Sequence, residues 1–138
     1  MHPMSVALHH YLNFPGTAAE AMSFYADALG GTVDIMRYGD SPMPVDPEHK
    51  DKVMHATVTA GELRLMAADV IPPHPAPVNG TSMYLSLNFT DDATQDAVWA
   101  KLAVGGQVVM PLTELFFGRF GILLDRYGMQ WMLHKGAQ

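Results

Sequence analysis

Seven histidines and fourteen acidic residues supply most of the reactive side chains of this 138-residue chain, which contains no cysteine. Two of the histidines are adjacent, in Leu8-His9-His10-Tyr11-Leu12-Asn13-Phe14. Imidazoles ligate metals and shuttle protons near neutral pH, so the pair suggests either chemistry. Neighbouring residues of a strand point to opposite faces, however, and only one of the two can enter a given pocket. His10 alternates with Leu12 and Phe14, which should pack under a helix. His9, Tyr11 and Asn13 then share the other face. His55 lies in Met54-His55-Ala56-Thr57-Val58-Thr59, where Met54, Ala56 and Val58 read as buried and His55, Thr57 and Thr59 as facing a cavity. Glu114 precedes Phe116 and Phe117. A carboxylate among aromatic rings can have a raised pKa and act as a general base; equally, it can pair with Arg119 at the surface. His9, Tyr11, His55 and Glu114 are thus the candidates for proton transfer. His2, His49 and His74 lie in loop-like segments and are expected to be idle, and Arg64 and Asp125 read as surface or strand-end pairing residues.

Composition excludes several alternatives. Without cysteine there is no disulfide, zinc-thiolate site or thiol nucleophile. Nearly half the residues are apolar and 16% are charged, with a net charge of -6 and only eight Lys and Arg. That balance describes a globular chain with no basic run to neutralise phosphates, so nucleic acid is not expected as a partner. The N-terminal Met-His-Pro-Met-Ser-Val has no signal-peptide pattern, and no apolar run approaches the ~20 residues that span a bilayer. A soluble, cytoplasmic protein with no membrane partner is expected. The eleven methionines are scattered, as gap-fillers are.

The elements that must position these residues come as a repeat. Tyr11 to Val33 aligns without a gap on Ser86 to Val108, at an offset of 75 residues. Leu12-Asn13-Phe14 returns as Leu87-Asn88-Phe89, Phe24 as Trp99, and Gly30-Gly31 as Gly105-Gly106. Thr17 to Glu20 and Asp92 to Gln95 both read as capping boxes, and each helix should stop at its glycine pair. Strands are then expected at Thr32–Tyr38, Val53–Ala60 and Glu62–Asp69 in the first half. In the second they are expected at Gln107–Met110, Arg119–Leu124 and Met129–Lys135. The fold class is therefore α+β: one domain over 1–138, with two βαβββ modules at about 5–70 and 81–136. A Pro-rich connector, 71–80, joins them. Mixed sheets curling into a shared concave pocket are expected, with Gly39 to Lys52 as a lid-like loop.

With those modules in place, the chain resembles the vicinal-oxygen-chelate superfamily of glyoxalases, bleomycin-resistance proteins and extradiol dioxygenases. It is most similar to the PhnB-like branch, also labelled 3-demethylubiquinone methyltransferase-like. The carrying residues are Tyr11 to Gly31, His55-Ala56, Glu114 to Gly121 and Asp125 to Leu133. No Gly-rich strand-to-helix turn of the nucleotide-binding kind accompanies the methyltransferase label.

The resemblance implies a homodimer and a small-molecule partner. It also implies four metal positions, which fall at His9, Tyr84, near Leu65 and at Met132. Hard and borderline ions take imidazole nitrogen or carboxylate oxygen rather than leucine or thioether. No metal or other cofactor is therefore expected. If a divalent metal does bind, a rearranged set of His9, His55 and Asp69 is the candidate, and His134 could also reach inward. The wall of a metal-free pocket would be Tyr11, Asn13, Tyr84, Ser86, Asn88, Phe116, Phe117 and Met132. The alternative reading is a metal-dependent lyase, isomerase or dioxygenase.

Overall fold

The structure is a computed structural model describing residues 6–137. His2 and most of the segment read for a leader lie outside the described residues. The chain divides into two compact units between Pro77 and Val78, inside the Pro-rich connector. In the first unit β1 (His10–Phe14), α1 (Ala18–Leu29), β2 (Thr32–Arg37), β3 (Val53–Ala60) and β4 (Leu63–Asp69) follow in chain order. In the second come β5 (Leu85–Phe89), α2 (Asp92–Leu102), β6 (Gln107–Leu115), β7 (Gly118–Leu124) and β8 (Gln130–Gly136). Both sheets have four strands and are mixed, in the orders β1-β4-β3-β2 and β5-β8-β7-β6. β1 runs parallel to β4 and β5 parallel to β8, and the remaining pairs are antiparallel. This is the tandem βαβββ arrangement expected from the repeat. β6 extends five residues beyond its expected end at Met110, through Pro111, which is tolerated because β6 is an edge strand.

In the first unit α1 packs over β3, with β2 and β4 beside it. Ala18, Ala21, Ala26 and Ala28 let the helix approach the sheet closely, while Met22, Tyr25, Val53, Val58 and Phe14 fill the space between. Edge strand β1 is buried only at its end, at Phe14, and His10 at its start is exposed although it pairs with buried Leu65. The expected inward face of β3 is corrected at its first turn of alternation. The register slips between Met36 and Arg37, so Val53 is fully buried and Met54 only half-buried. In the second unit Leu85, Val98, Leu102, Leu123, Trp131 and Leu133 form the core.

The repeated Gly-Gly pair has a double reason in the first unit. Gly30 takes the left-handed conformation, φ 70°, and its N–H bonds back to Ala26 and Asp27. A Cβ on Gly31 would lie 2.3 Å from the Thr59 carbonyl, and one on Gly106 equally close to that of Leu124. The second glycine of each pair thus permits the strand after the helix to enter its sheet. In the second unit the pair does not itself stop the helix; α2 ends at Leu102.

The capping boxes are not realised. Thr17 makes no side-chain cap; its place is taken by Asp69, whose Oδ1 accepts from the Ala18 N–H at 2.9 Å. The N-cap of α2 is Asp91, one residue earlier than expected, accepting from the Thr94 N–H at 2.7 Å. Gln95 turns into the core instead, donating to the Arg119 carbonyl at 3.1 Å. The Thr94 backbone N–H, then its hydroxyl, holds the Asp91 carboxyl below its ordinary value. A carboxyl depressed in the folded state stabilises above its unfolded value and loses that contribution as pH falls through the folded one. Acidification below about pH 4 should therefore fray the first turn of α2 before the sheet melts. Amide exchange at Thr94 that stays slow down to global acid unfolding would contradict this.

Candidate functional site

Alternation leaves each sheet one face not packed by its helix. On the first sheet the register aligns Tyr11, Met66 and Thr57 across β1, β4 and β3. His55 lies two residues from Thr57 on the same face, opposite Met36 of β2. The Tyr11 hydroxyl is 3.1 Å from His55 Nδ1, and His55 Nε2 is 3.2 Å from the Thr57 hydroxyl. The Tyr11 and His55 rings tilt together at 5.7 Å. Burial, with the charge of Tyr38 second, raises the Tyr11 pKa above its ordinary value. Tyr11 is thus a neutral phenol at neutral pH, able to donate to Nδ1 while Nε2–H donates to Thr57. The chain of hydroxyl, imidazole and hydroxyl can also run the other way, so a proton can be offered or taken at either end. Tyr11 is 48% exposed and Met36 46%, so a ligand could reach both.

On the second sheet Asn88, His134 and Phe120 stand in one row across β5, β8 and β7, and Ser86, Met132 and Ile122 in the next. His134 Nδ1 is 3.3 Å from Asn88 Oδ1, and its Nε2 is 3.3 Å from the Phe117 carbonyl. Phe117 packs edge-on against Phe120 at 5.7 Å and tilts over His134 at 5.7 Å. Phe116, 96% exposed, meets only the edge of Phe117 among the described aromatic contacts. Equating the two registers places Phe120 where the first sheet has His55, and His134 where it has Ala68. The faces share a backbone and differ in chemistry, one hydroxylic, the other aromatic.

Tyr11, Asn13 and His55 share the open face of the first sheet, with exposed His9 just before β1. Ser86, Asn88, Met132 and the Phe117 ring share that of the second, with Tyr84 just before β5. Phe116 projects into solvent, and Glu114 is not brought to this face. Glu114 pairs with Arg119 in the β6–β7 register, and cross-strand partners share a face. Arg119 reaches α2 on the helix side, bonding Asp96 at 2.6 Å and Gln95 at 3.3 Å. Glu114 itself is exposed. Asp69 likewise lies opposite His55: it is 3% exposed and both its oxygens accept backbone N–H groups, from Ala18 and from Val53, at 2.9 Å. His9, His55 and Asp69 are not gathered on one face. Leu65 is buried under α1, and the outward position that matches Met132 is Met66. The positions the resemblance assigns to a metal therefore offer one imidazole, one phenol and two thioethers, which do not fit a hard or borderline ion.

Asp125, expected to pair at the surface or at a strand end, stands just past the end of β7 and not at the surface: it is 3% exposed and bonds the Tyr127 and Met129 N–H groups and the Trp131 indole. Thr57 is on the open face, as alternation has it, and His134 reaches the open face of its own sheet; Phe120, beside it, needed the register to be found. Asp46, Glu48 and His49 bring ligand atoms within 4.8 Å of one another in the loop before β3, two of them solvated acids. Among the described residues no helix is long and apolar enough to cross a membrane.

Comparison with known proteins extends over nearly the whole chain. Residues 7–133 match the model of the Glyoxalase/Bleomycin resistance protein/Dioxygenase superfamily. The crystal structure of protein PA1353 from Pseudomonas aeruginosa is 38% identical, with a TM-score of 0.86, covering 97% of this chain and 100% of that one. The PhnB protein from Bacillus cereus is 30% identical at a TM-score of 0.74, covering 95% and 100%. Protein YjdN of Escherichia coli (strain K12) is 24% identical over 144 residues, 95% of this chain and 96% of its own.

Proposed function

Because the chain belongs to the Glyoxalase/Bleomycin resistance protein/Dioxygenase superfamily, we propose that it binds a small polar or aromatic molecule on the open sheet faces, without the metal of the four-ligand members. The observation that carries this reading is the Tyr11–His55–Thr57 chain. Its polar atoms sit on a face that the helix leaves uncovered, where a ligand's oxygen or N–H can join the chain. The donor set supports the absence of metal chemistry, since Met66 and Met132 stand where carboxylates or imidazoles would be needed. With Glu114 directed to the helix side, His55 is the group best placed to exchange a proton with a ligand.

A thermal-shift screen of aromatic compounds and small oxo-acids tests the reading, with product analysis of every hit. Saturable stabilisation is expected. Its dissociation constant should rise about five- to ten-fold in Tyr11→Phe and in His55→Gln, the loss of one hydrogen bond at each. Elemental analysis and titration with Ni, Mn, Zn and Fe test the metal-free part. A stoichiometric ion lost in His9→Ala would overturn it in favour of a metal-dependent lyase, isomerase or dioxygenase.

A further inference from the structure

The open face of the first sheet carries charge that the Tyr11–His55–Thr57 chain does not use. Arg64, the second residue of β4, is exposed and stands opposite Thr59 of β3, so it shares the face of Thr57 and Met66. Met66, two residues further on, is flanked in register by Tyr11 of β1 and Thr57 of β3. Strand spacing and rise put the Arg64 Cα about 8 Å from those of both Tyr11 and Thr57. A long side chain covers that diagonal step. Arg64 was expected to pair at the surface or at a strand end, but among the described residues it has neither ion pair nor hydrogen bond.

The chain always leaves one hydroxyl hydrogen free. A neutral imidazole carries a single N–H, so one of the two hydroxyls gives its hydrogen to the ring and the other accepts the ring's. The hydroxyl that accepts keeps its own O–H to offer outward. That hydroxyl is Thr57 in one direction of the chain and Tyr11 in the other, and Arg64 lies one diagonal step from each. A hydroxyl donor and a guanidinium therefore meet beside Met66 whichever way the protons are ordered. Asp34, exposed on β2, borders Thr57 from the other side and forms no ion pair with Arg64. It is two strands from Arg64 and three from Tyr11, so the convergence of donors favours an anion over a cation. We infer that the ligand of this face carries a carboxylate, held by the Arg64 guanidinium together with the free hydroxyl of Tyr11 or Thr57. This rests on the reading of the open face as a ligand surface, and it names the chemical class that the surface takes.

Benzoate, benzamide and benzylammonium each carry one phenyl ring and differ in charge. Their dissociation constants on the full chain, measured by protein-observed NMR near neutral pH and in low salt, test the assignment. Benzoate should bind about ten-fold tighter than benzamide, the effect of one charge-assisted hydrogen bond. The backbone amides of Thr57 and Met66 should shift as it binds. Arg64→Gln, a change at an exposed position, should bring benzoate to the affinity of benzamide and leave benzamide as it was. Added salt should narrow the gap in the wild type, as screening requires. If benzamide binds as well as benzoate, the ligand surface stands and the carboxylate assignment alone falls. A benzoate preference that survives Arg64→Gln, or benzylammonium as the tightest of the three, also overturns it. If none of the three shifts the Thr57 and Met66 amides, the face is not a surface for such ligands, and the inference falls together with the reading it rests on.

Discussion

Replacing Asp125 with alanine should cost about 3–4 kcal/mol of stability and lower the melting temperature by roughly 10 °C. The carboxylate is 3% exposed and accepts three bonds. The Tyr127 N–H lies at 2.7 Å, the Met129 N–H at 3.1 Å and the Trp131 indole Nε1–H at 2.8 Å. Water can reach the two half-buried amides once the carboxylate is gone, which limits their cost. The indole cannot recover in this way, because Trp131 is 1% exposed at the centre of the second core. A buried donor left without a partner costs about 1–3 kcal/mol by itself. The same turn requires Gly128 at φ 86°, closing on the Asp125 carbonyl at 3.0 Å. Asp125→Asn keeps the shape and one acceptor but points an NH2 at an N–H, and should fall between wild type and alanine. Melting followed by tryptophan fluorescence checks the order. An alanine variant within about 2 °C of wild type would show that the indole finds another acceptor.

This result bears on how much of the molecule was legible in the sequence. The module order, β3 and the ends of most other strands followed from alternation and glycine punctuation, because those signals are local. The repeat at 75 residues also placed Asn13 and Asn88 on matching faces, and the registers confirm that placement. Motif Asp125-x-x-Gly128-x-x-Trp131 was visible as a resemblance, and pairing at a strand end was among the readings of Asp125, but its burial and its bond to the indole were not. Nothing local distinguishes an aspartate that binds an indole six residues away from one that pairs at the surface. Glu114 was left open between a base and a surface partner of Arg119 for a related reason. Its neighbours Phe116 and Phe117 suggested an apolar pocket, yet which face it takes depends on the register with Arg119 across the hairpin. His134 could be read as reaching inward, but its neighbours Asn88 and Phe120 emerge only once β8 is seen between β5 and β7. Residues whose roles depend on strand order stay hidden until the sheet is assembled.

The second large effect is expected at Asp69, where the two modules have solved one mechanical problem with opposite charges. Asp69 and Lys135 occupy equivalent places, opposite Phe14 in β1 and Phe89 in β5. Each ties the fourth strand of its sheet to the start of its helix. Asp69 does so with two backbone bonds, to Ala18 at the first turn of α1 and to Val53 at the start of β3. Lys135 does so through an ion pair with Asp92 at 3.0 Å, whose carboxylate is 55% exposed. Asp69→Ala strands two buried N–H groups and should cost about 3 kcal/mol, with early fraying of α1. Lys135→Ala removes a half-solvated pair and should cost no more than about 1 kcal/mol. Chemical denaturation of both variants, with exchange of the Ala18 and Val53 amides, measures the contrast. Equal losses would mean that the two positions, equivalent in register, are equivalent in energy too. Unequal losses would show the first module committing its buried carboxylate to holding the fold, which leaves His9 and His55 without a carboxylate partner for a metal.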